Sequence, residues 1–288
     1  MGLIETEETN QFTFEPFAAH HFYTEINRAL VQQALAHLEG KGQAHEQPLT
    51  IVDMACGTGA VTRLIAEELA RQGRQARLIG VDPSAEALRR AHKSMEALGM
   101  QAEFVQGESE DLPRIVQNAD MAFFCNAIHL VADKLAAFRQ ISAILRPGGI
   151  FACNSAFYEG TYVPGTERFY RMWTRRAVGW LRKTHPDIRP SRETKAQAMQ
   201  WLSPEEYAAL FREGGFSRVE MTQTQVSISL DAWKDLGQYW LFIEGALPGV
   251  PLSLGAQALG VAVYEAGQEL GLQEVPRMWL QMVAMKDA

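Results

Sequence analysis

The chain has 288 residues, 47% of them hydrophobic and 21% charged, enough apolar mass for one large domain or a core with an elaborated second part. Its net charge of −7 argues against a general nucleic-acid binder, whose footprint is basic. No apolar run reaches the ~18 residues of a membrane span, and the acidic start "MGLIETEETNQ" lacks a signal-peptide layout, so a cytoplasmic protein is expected.

In chain order, "EINRALVQQALAHL" (25–38) carries Ile26, Leu30, Ala34 and Leu38 on one helical stripe, and the loop "EGKGQAHEQP" (39–48) follows. The Met1-Gly2 start resembles an acylation signal, but the acidic stretch behind it offers no second membrane signal. "LTIVDMA" reads as a strand and "AVTRLIAEELARQG" as a helix stopped by Gly73. Strand "ARLIGVD", a helix capped by Ser84, strand "QAEFVQG" and the continuously apolar strand "NADMAFFCN" come next. A helix over 133–149, ended by Pro147 and two glycines, precedes strand "IFACNSAF". Such alternation specifies a parallel sheet with helices on both faces. In sheets of this kind ligands bind outside the carboxyl ends of the strands.

Beyond residue 157 the rhythm changes. "TERFYRMWTRRAVGWLRK" (166–183) is helical, with Phe169, Trp173, Ala177 and Trp180 on one face and Arg168, Arg171, Arg175 and Arg182 opposite. A loop holds Pro186 and Pro190. "SPEEYAALFREGGF" opens with a capping box of Ser203 and Glu206 around Pro204. A strand over 217–229, helices over 230–247 and 252–270, and a last strand "RMWLQMVAM" complete the chain. Cys56, Cys125 and Cys153 are odd in number and far apart, which is neither a disulfide framework nor a metal spacing. No metal is expected.

The residues just after the strands carry the chemistry. Asp53 and the Gly57–Thr58–Gly59 turn follow the first, Asp82 ends the second, "GESEDLP" follows the third, and Asn126 and His129 follow the fourth. Glycine lets ligand atoms approach the backbone. A carboxylate at Asp82 can accept from both hydroxyls of a ribose, and Glu108 can accept from an exocyclic amine. Asp53 would repel a phosphate but suits an ammonium-bearing ligand. S-adenosylmethionine, an adenosine with a cationic amino-acid tail, meets all three demands.

Taken in order, "VDMACGTG", Asp82 of "LIGVD", "GESEDLP" and "AILRPGG" resemble the motifs of class I S-adenosylmethionine-dependent methyltransferases, in the branch of ubiquinone/menaquinone-biosynthesis enzymes. The resemblance is good over residues 50–155 and loose beyond them. It implies a Rossmann-like seven-stranded, mostly parallel sheet with helices on both faces and a helical lid built from insertions. It further implies that Asp53 and the backbone of Ala55, Gly57 and Gly59 hold the methionine part. By the same resemblance Asp82 binds the ribose, Pro83 packs near the adenine, and Glu108 with Ser109 binds the adenine. Asn126 stands near the methionine, and Tyr23 belongs to a segment that folds over the cofactor. Glu108 departs from the family, where aspartate is commoner.

The expected organisation is an N-terminal helical segment covering the cofactor site (1–48), the cofactor-binding core (49–157), a helical lid insertion (158–202), a core helix and strand (203–230), a second lid insertion (231–275) and a final core strand (276–288) running beside the sixth. A dinucleotide fold is disfavoured because Thr62 stands where the third glycine of that fingerprint belongs. A non-catalytic sensor or assembly protein on the same fold is the alternative function. Methyl transfer from a sulfonium needs an in-line nucleophile more than it needs acids or bases. His129 is the candidate proton acceptor, with a structural role in its turn as the other reading. Tyr158 and Tyr162 are weaker candidates for that role, with packing as the favoured reading. The aromatic and small-residue helices imply a small hydrophobic acceptor. The arginine face of 166–183 reads either as a solvated lid surface or as a peripheral contact with an anionic membrane.

Overall fold

The computed structural model describes residues 9–38, 48–191 and 201–287. The Met1-Gly2 start and the 39–48 loop, Pro48 apart, lie outside the described residues. Pro16 sits in the first turn of α1 (Glu15–Ala18), where its missing N–H breaks no helical bond. α2 (His21–Ala36) begins a turn earlier than its apolar stripe indicates, so His21 and Tyr23 lie inside the helix and not ahead of it. β1 (Leu49–Met54), α3 (Ala60–Arg71), β2 (Ala76–Asp82), α4 (Ala85–Ala97) and β3 (Glu103–Gln106) then alternate as expected. Ser84 caps α4 by accepting the Ala87 N–H at 3.1 Å.

A short α5 (Leu112–Ile115) leads to β4 (Ala119–Cys125), buried along its whole length. α6 (Lys134–Ile144) ends sooner than the expected 149, because β5 (Leu145–Ser155) already includes Pro147 and both glycines. Proline disfavours helical backbone at the residue before it, here Arg146. Leu145 pairs with Ala119 instead, and a register shift before Met121↔Ile150 absorbs the irregular stretch. α7 (Glu167–Thr184), α8 (Pro204–Glu213) and β6 (Phe216–Ser229) follow. The α8 capping box forms: Ser203 Oγ accepts from Glu206 N at 3.2 Å, and Glu206 Oε2 accepts from Ser203 N at 2.8 Å.

The single helix expected over 230–247 is two, α9 (Leu230–Leu236) and α10 (Trp240–Ala246). The Trp240 N–H, which would have continued the ladder, donates to Phe12 O at 3.0 Å. Gly237 ends the first helix where a Cβ would meet the Trp173 ring at 3.0 Å. α11 (Leu252–Leu270) and β7 (Glu274–Lys286) complete the chain. No described helix is long and apolar enough to cross a membrane.

The strands form one sheet in the order β3-β2-β1-β4-β5-β7-β6. β3, β2, β1, β4 and β5 are mutually parallel, and β7 runs antiparallel to β5. Chain order reverses between β1 and β4, which is where such a sheet opens a crevice at its carboxyl edge.

The chain divides into two compact units, and the predicted 1–48 segment is shared between them at Tyr23–Thr24. One unit comprises Thr24–Thr161, Gln200–Thr224 and Trp279–Ala288. On one sheet face Leu30, Val31 and Ile65 from α2 and α3 pack with Met121, Phe123 and Ile150. On the other, Phe151 of β5 meets Phe138 of α6 at 5.2 Å and Phe211 of α8 at 5.4 Å between ring centroids. Helices therefore cover both faces.

The other unit comprises Met1–Tyr23, Tyr162–Met199 and Gln225–Met278. Its helices approach closely because α11 presents glycines: a Cβ at Gly255 would stand 2.3 Å from Ile243, and one at Gly267 2.4 Å from Leu230. Trp173 Nε1 donates to Leu259 O at 2.8 Å, tying α7 to α11. α7 buries Phe169, Trp173, Ala177 and Leu181. The expected Trp180 falls outside this four-residue row and packs beside His185. Arg168, Arg171, Arg175 and Arg182 are exposed.

Candidate functional site

Asp53 lies near the end of β1, in register with Gly80 of β2 and Phe123 of β4. Only 2% of it is exposed. Its Oδ2 accepts the Thr62 hydroxyl at 2.6 Å, whereas its Oδ1 is buried without a hydrogen-bond partner. Burial, with a smaller push from the Asp82 charge, raises its carboxyl to about 7. Thr62, which at first only marked the absence of a third glycine, is the residue that orients this acid.

The turn after β1 is built from left-handed backbone. Ala55 (φ 52°), Gly57 (φ 53°) and Gly59 (φ 83°) all adopt it, an uncommon conformation for Ala55. Beside Gly57 the space a Cβ would occupy is open. At Gly59 a Cβ would touch Ala91 of α4 at 3.1 Å. Cys56, between Ala55 and Gly57, is buried, and burial together with the nearby acids pushes its thiol up, away from reactivity.

Asp82 ties two turns together. Its Oδ2 accepts the Gly57 N–H at 2.8 Å and its Oδ1 the Ser84 N–H at 2.9 Å. Pro83 is exposed, and its carbonyl accepts from Gln106 Nε2 at 2.9 Å, joining the turns after β2 and β3. Glu108 is exposed at the head of a tight turn over Ser109–Asp111. Its N–H donates to Asp111 Oδ2 at 3.1 Å, and Ser109 Oγ donates to Glu110.

The turn after β4 rests on asparagines. Asn126 (φ 58°) donates its N–H to Asn154 Oδ1 at 3.0 Å. Asn27 Oδ1, on α2, accepts from Asn126 Nδ2 at 3.0 Å and from Asn154 Nδ2 at 2.9 Å. Asn27 and Asn154 are fully buried. Neither was legible in advance, since an asparagine inside a helix or strand carries no periodic signal.

His129 is 5% exposed. Its Nδ1 lies 3.2 Å from Ser155 Oγ at the end of β5, and its ring packs on Phe157 with centroids 4.5 Å apart. Tyr158 is buried and donates its hydroxyl to Gln223 at 2.9 Å. Tyr162 is 37% exposed. The structure thus bonds Asp82 to the glycine turn, places Asp53 on the strand that leads into that turn, and sets Asn126 and His129 on the neighbouring turn. Tyr23 belongs to the other unit, where its ring meets Phe14 and Phe17 at 5.7 and 6.2 Å. Among the described residues no cluster of three His, Cys, Asp or Glu is placed to hold a metal ion. An open cavity of about 490 Å³ beside β3 and α4, lined by Met95, Met100 and Phe104, shares none of these residues.

Residues 51–149 match the methyltransferase domain family. The chain is 25% identical to a ubiquinone biosynthesis O-methyltransferase of Methylobacterium sp. (strain 4-46), over 72% of this chain and 76% of that protein. It is 24% identical to the ubiquinone/menaquinone biosynthesis C-methyltransferase UbiE of Nitrobacter hamburgensis, over 61% and 68%. Among solved structures, the YcgJ protein from Bacillus subtilis aligns with a TM-score of 0.55 at 16% identity, over 90% of this chain and 99% of that one. The cyclase SpnF aligns with a TM-score of 0.55 at 14% identity, over 92% and 81%. These two share the fold.

Proposed function

We propose that this chain is an S-adenosylmethionine-dependent methyltransferase that methylates a small hydrophobic acceptor by direct in-line displacement. The observation that carries the reading of the site is the orphaned Asp53 Oδ1. A buried acceptor without a donor costs stability unless a ligand supplies one. An ammonium is the donor that suits a carboxylate beside a second acid.

The residues fit the cofactor. Asp53 would hold the ammonium, the open side of Gly57 would admit the chain next to it, and the Asp82 carboxylate would accept ribose hydroxyls. Pro83, Glu108 and Ser109 would border the adenine, and Asn126 the methionine end. The cofactor supplies a methyl group already activated on a sulfonium. The chain's own part is to position, to exclude water and to manage a proton.

That proton falls to His129. Ser155 Oγ accepts the Phe157 N–H at 2.9 Å and lies 3.2 Å from the Phe157 carbonyl. With its own proton on that carbonyl, the hydroxyl accepts from Nδ1–H of His129. The lone pair is then on Nε2, the atom that takes a proton from a hydroxyl or an acidic carbon of the acceptor. The names of the quinone-pathway relatives support a hydrophobic acceptor. The arginine face of α7 is proposed to contact an anionic membrane surface, where such acceptors dissolve.

Calorimetry with S-adenosylhomocysteine tests the site. Wild type is expected to bind, and Asp53→Asn to lose at least about tenfold in affinity, the loss of a charge-assisted bond. Assays with labelled methyl donor test the acceptor: quinol and phenolic compounds should be methylated, and His129→Ala should slow them. Methylation of polar amines alone, or full turnover by His129→Ala, would contradict the corresponding part.

A further inference from the structure

Asn27 sits on α2, away from the strand-end turns, yet it is bonded to one of them. It is fully buried, as is Asn154 of β5. With Asn126 they close a ring of hydrogen bonds. The Asn126 N–H reaches both the side-chain Oδ1 and the main-chain O of Asn154, at 3.0 and 3.1 Å. Asn154 Nδ2 donates to Asn27 Oδ1 at 2.9 Å, and Asn126 Nδ2 donates to the same oxygen at 3.0 Å. A backbone N–H can only donate, so it dictates which end Asn154 turns toward it. Asn154 then shows Asn27 its amide nitrogen, and Asn27 must answer with oxygen. One main-chain donor thereby fixes the orientation of three amides.

The ring holds a conformation that is uncommon by itself. Asn126 stands at φ 58°, in the left-handed region. Asn27 in turn stands on anchored backbone. Gln281 of β7 donates to the Ile26 carbonyl at 2.9 Å, and Arg28 donates to Glu67 and Glu68 of α3 at 2.6 and 2.7 Å. Three consecutive residues of α2 are therefore tied to β7, to the turn after β4 and to α3. Side chains locked by their neighbours hold a binding group to the tolerance that a ligand demands.

The turn so held borders the crevice where strand order switches. Phe124 pairs with Met54, and Asn126 and Cys56 each follow two residues later, so the two turns leave the sheet side by side. The strands run β2-β1-β4 here. With ribose on Asp82 of β2 and an ammonium on Asp53 of β1, the amino-acid end of the cofactor lies on the β4 side. We infer that Asn27 is a positioning residue for that end: by locking Asn126 it shapes the turn after β4 to receive the amino acid, and it leaves the nucleoside end untouched. This rests on the cofactor reading proposed above.

The probes are S-adenosylhomocysteine and 5′-methylthioadenosine, which has the nucleoside and sulfur but no amino acid, each titrated into the full chain by calorimetry. Wild type should prefer S-adenosylhomocysteine. Asn27→Ala, which removes the shared acceptor, should lose about tenfold for S-adenosylhomocysteine and stay within about twofold for methylthioadenosine. Asn27→Asp keeps an oxygen for both amide nitrogens and should stay within about threefold of wild type for S-adenosylhomocysteine. Should Asn27→Ala not unfold cooperatively, Asn27→Ser, whose shorter side chain withdraws the acceptor, takes its place with the same expectation. A merely structural asparagine would lower the Tm of Asn27→Ala and leave the ratio of the two affinities at its wild-type value. That result, equal losses for both ligands, or a loss in Asn27→Asp as large as in Asn27→Ala would each overturn the inference alone. A wild type that binds the two ligands equally, or neither, would sink the cofactor reading and this inference with it.

Discussion

At the scale of single residues, Asp53 holds function and stability in opposition. Its folded carboxyl titrates at about 7 against an ordinary 3.8, so between those values the folded protein binds a proton that the unfolded chain has released. Stability contributed by the neutral acid is therefore present below pH 4 and lost as pH rises to 7, a cost on the order of 4 kcal/mol. Asp53→Asn should raise the Tm at pH 8, by less than half as much at pH 5, and hardly at all at pH 3, as differential scanning calorimetry across these pH values would show. Binding an ammonium requires the ionised form. S-adenosylhomocysteine affinity should therefore weaken by about tenfold per unit as pH falls below 7, and the Asn variant should show no such slope. A flat wild-type profile would mean that Asp53 does not meet the ammonium.

At the scale of elements, the strand ends work because glycines are placed for two different reasons. Gly80, inside β2, leaves room for its neighbours: a Cβ there would stand 2.7 Å from the Phe104 ring and 2.9 Å from Cys56 Sγ. Gly57 has open space and a left-handed backbone. Gly80→Ala should thus cost roughly 1–3 kcal/mol by overpacking, read as a lower denaturation midpoint. Gly57→Ala should cost only about 1–2 kcal/mol of backbone strain yet lose most cofactor affinity, because its Cβ enters the ligand's approach. Comparable stability and binding in both variants would remove the distinction. The same scale explains where local reading failed. The helix over 230–247 breaks because the Trp240 N–H finds a partner more than 200 residues away, at Phe12. The end of α6 was misplaced because Arg146, ahead of Pro147, already belongs to a strand that only its neighbour β4 completes.

Across the whole molecule, charge is unevenly spread. A chain of net charge −7 carries an exposed row of Arg168, Arg171, Arg175 and Arg182 on α7, whose apolar face is already buried in its own unit. Contact with an anionic bilayer would therefore be electrostatic, worth about 1 kcal/mol per arginine near the surface and screened by salt. Co-sedimentation with phosphatidylglycerol vesicles should fall when Arg171 and Arg175 are changed to Glu and when salt is raised, and no binding at low salt would refute the contact. The sequence alone determined the alternation of strand and helix, the caps at Ser84 and Ser203, and the acids and glycines at the strand ends. Those signals are local, written in periods of two and 3.6 and in turn chemistry. Only the tertiary structure decided that Thr62 orients Asp53, that Asn27 and Asn154 hold Asn126, that Ser155 meets His129, and that Arg277 lies among three rings. Each of these depends on burial and on contacts between distant stretches of chain, and neither has a signature in neighbouring residues.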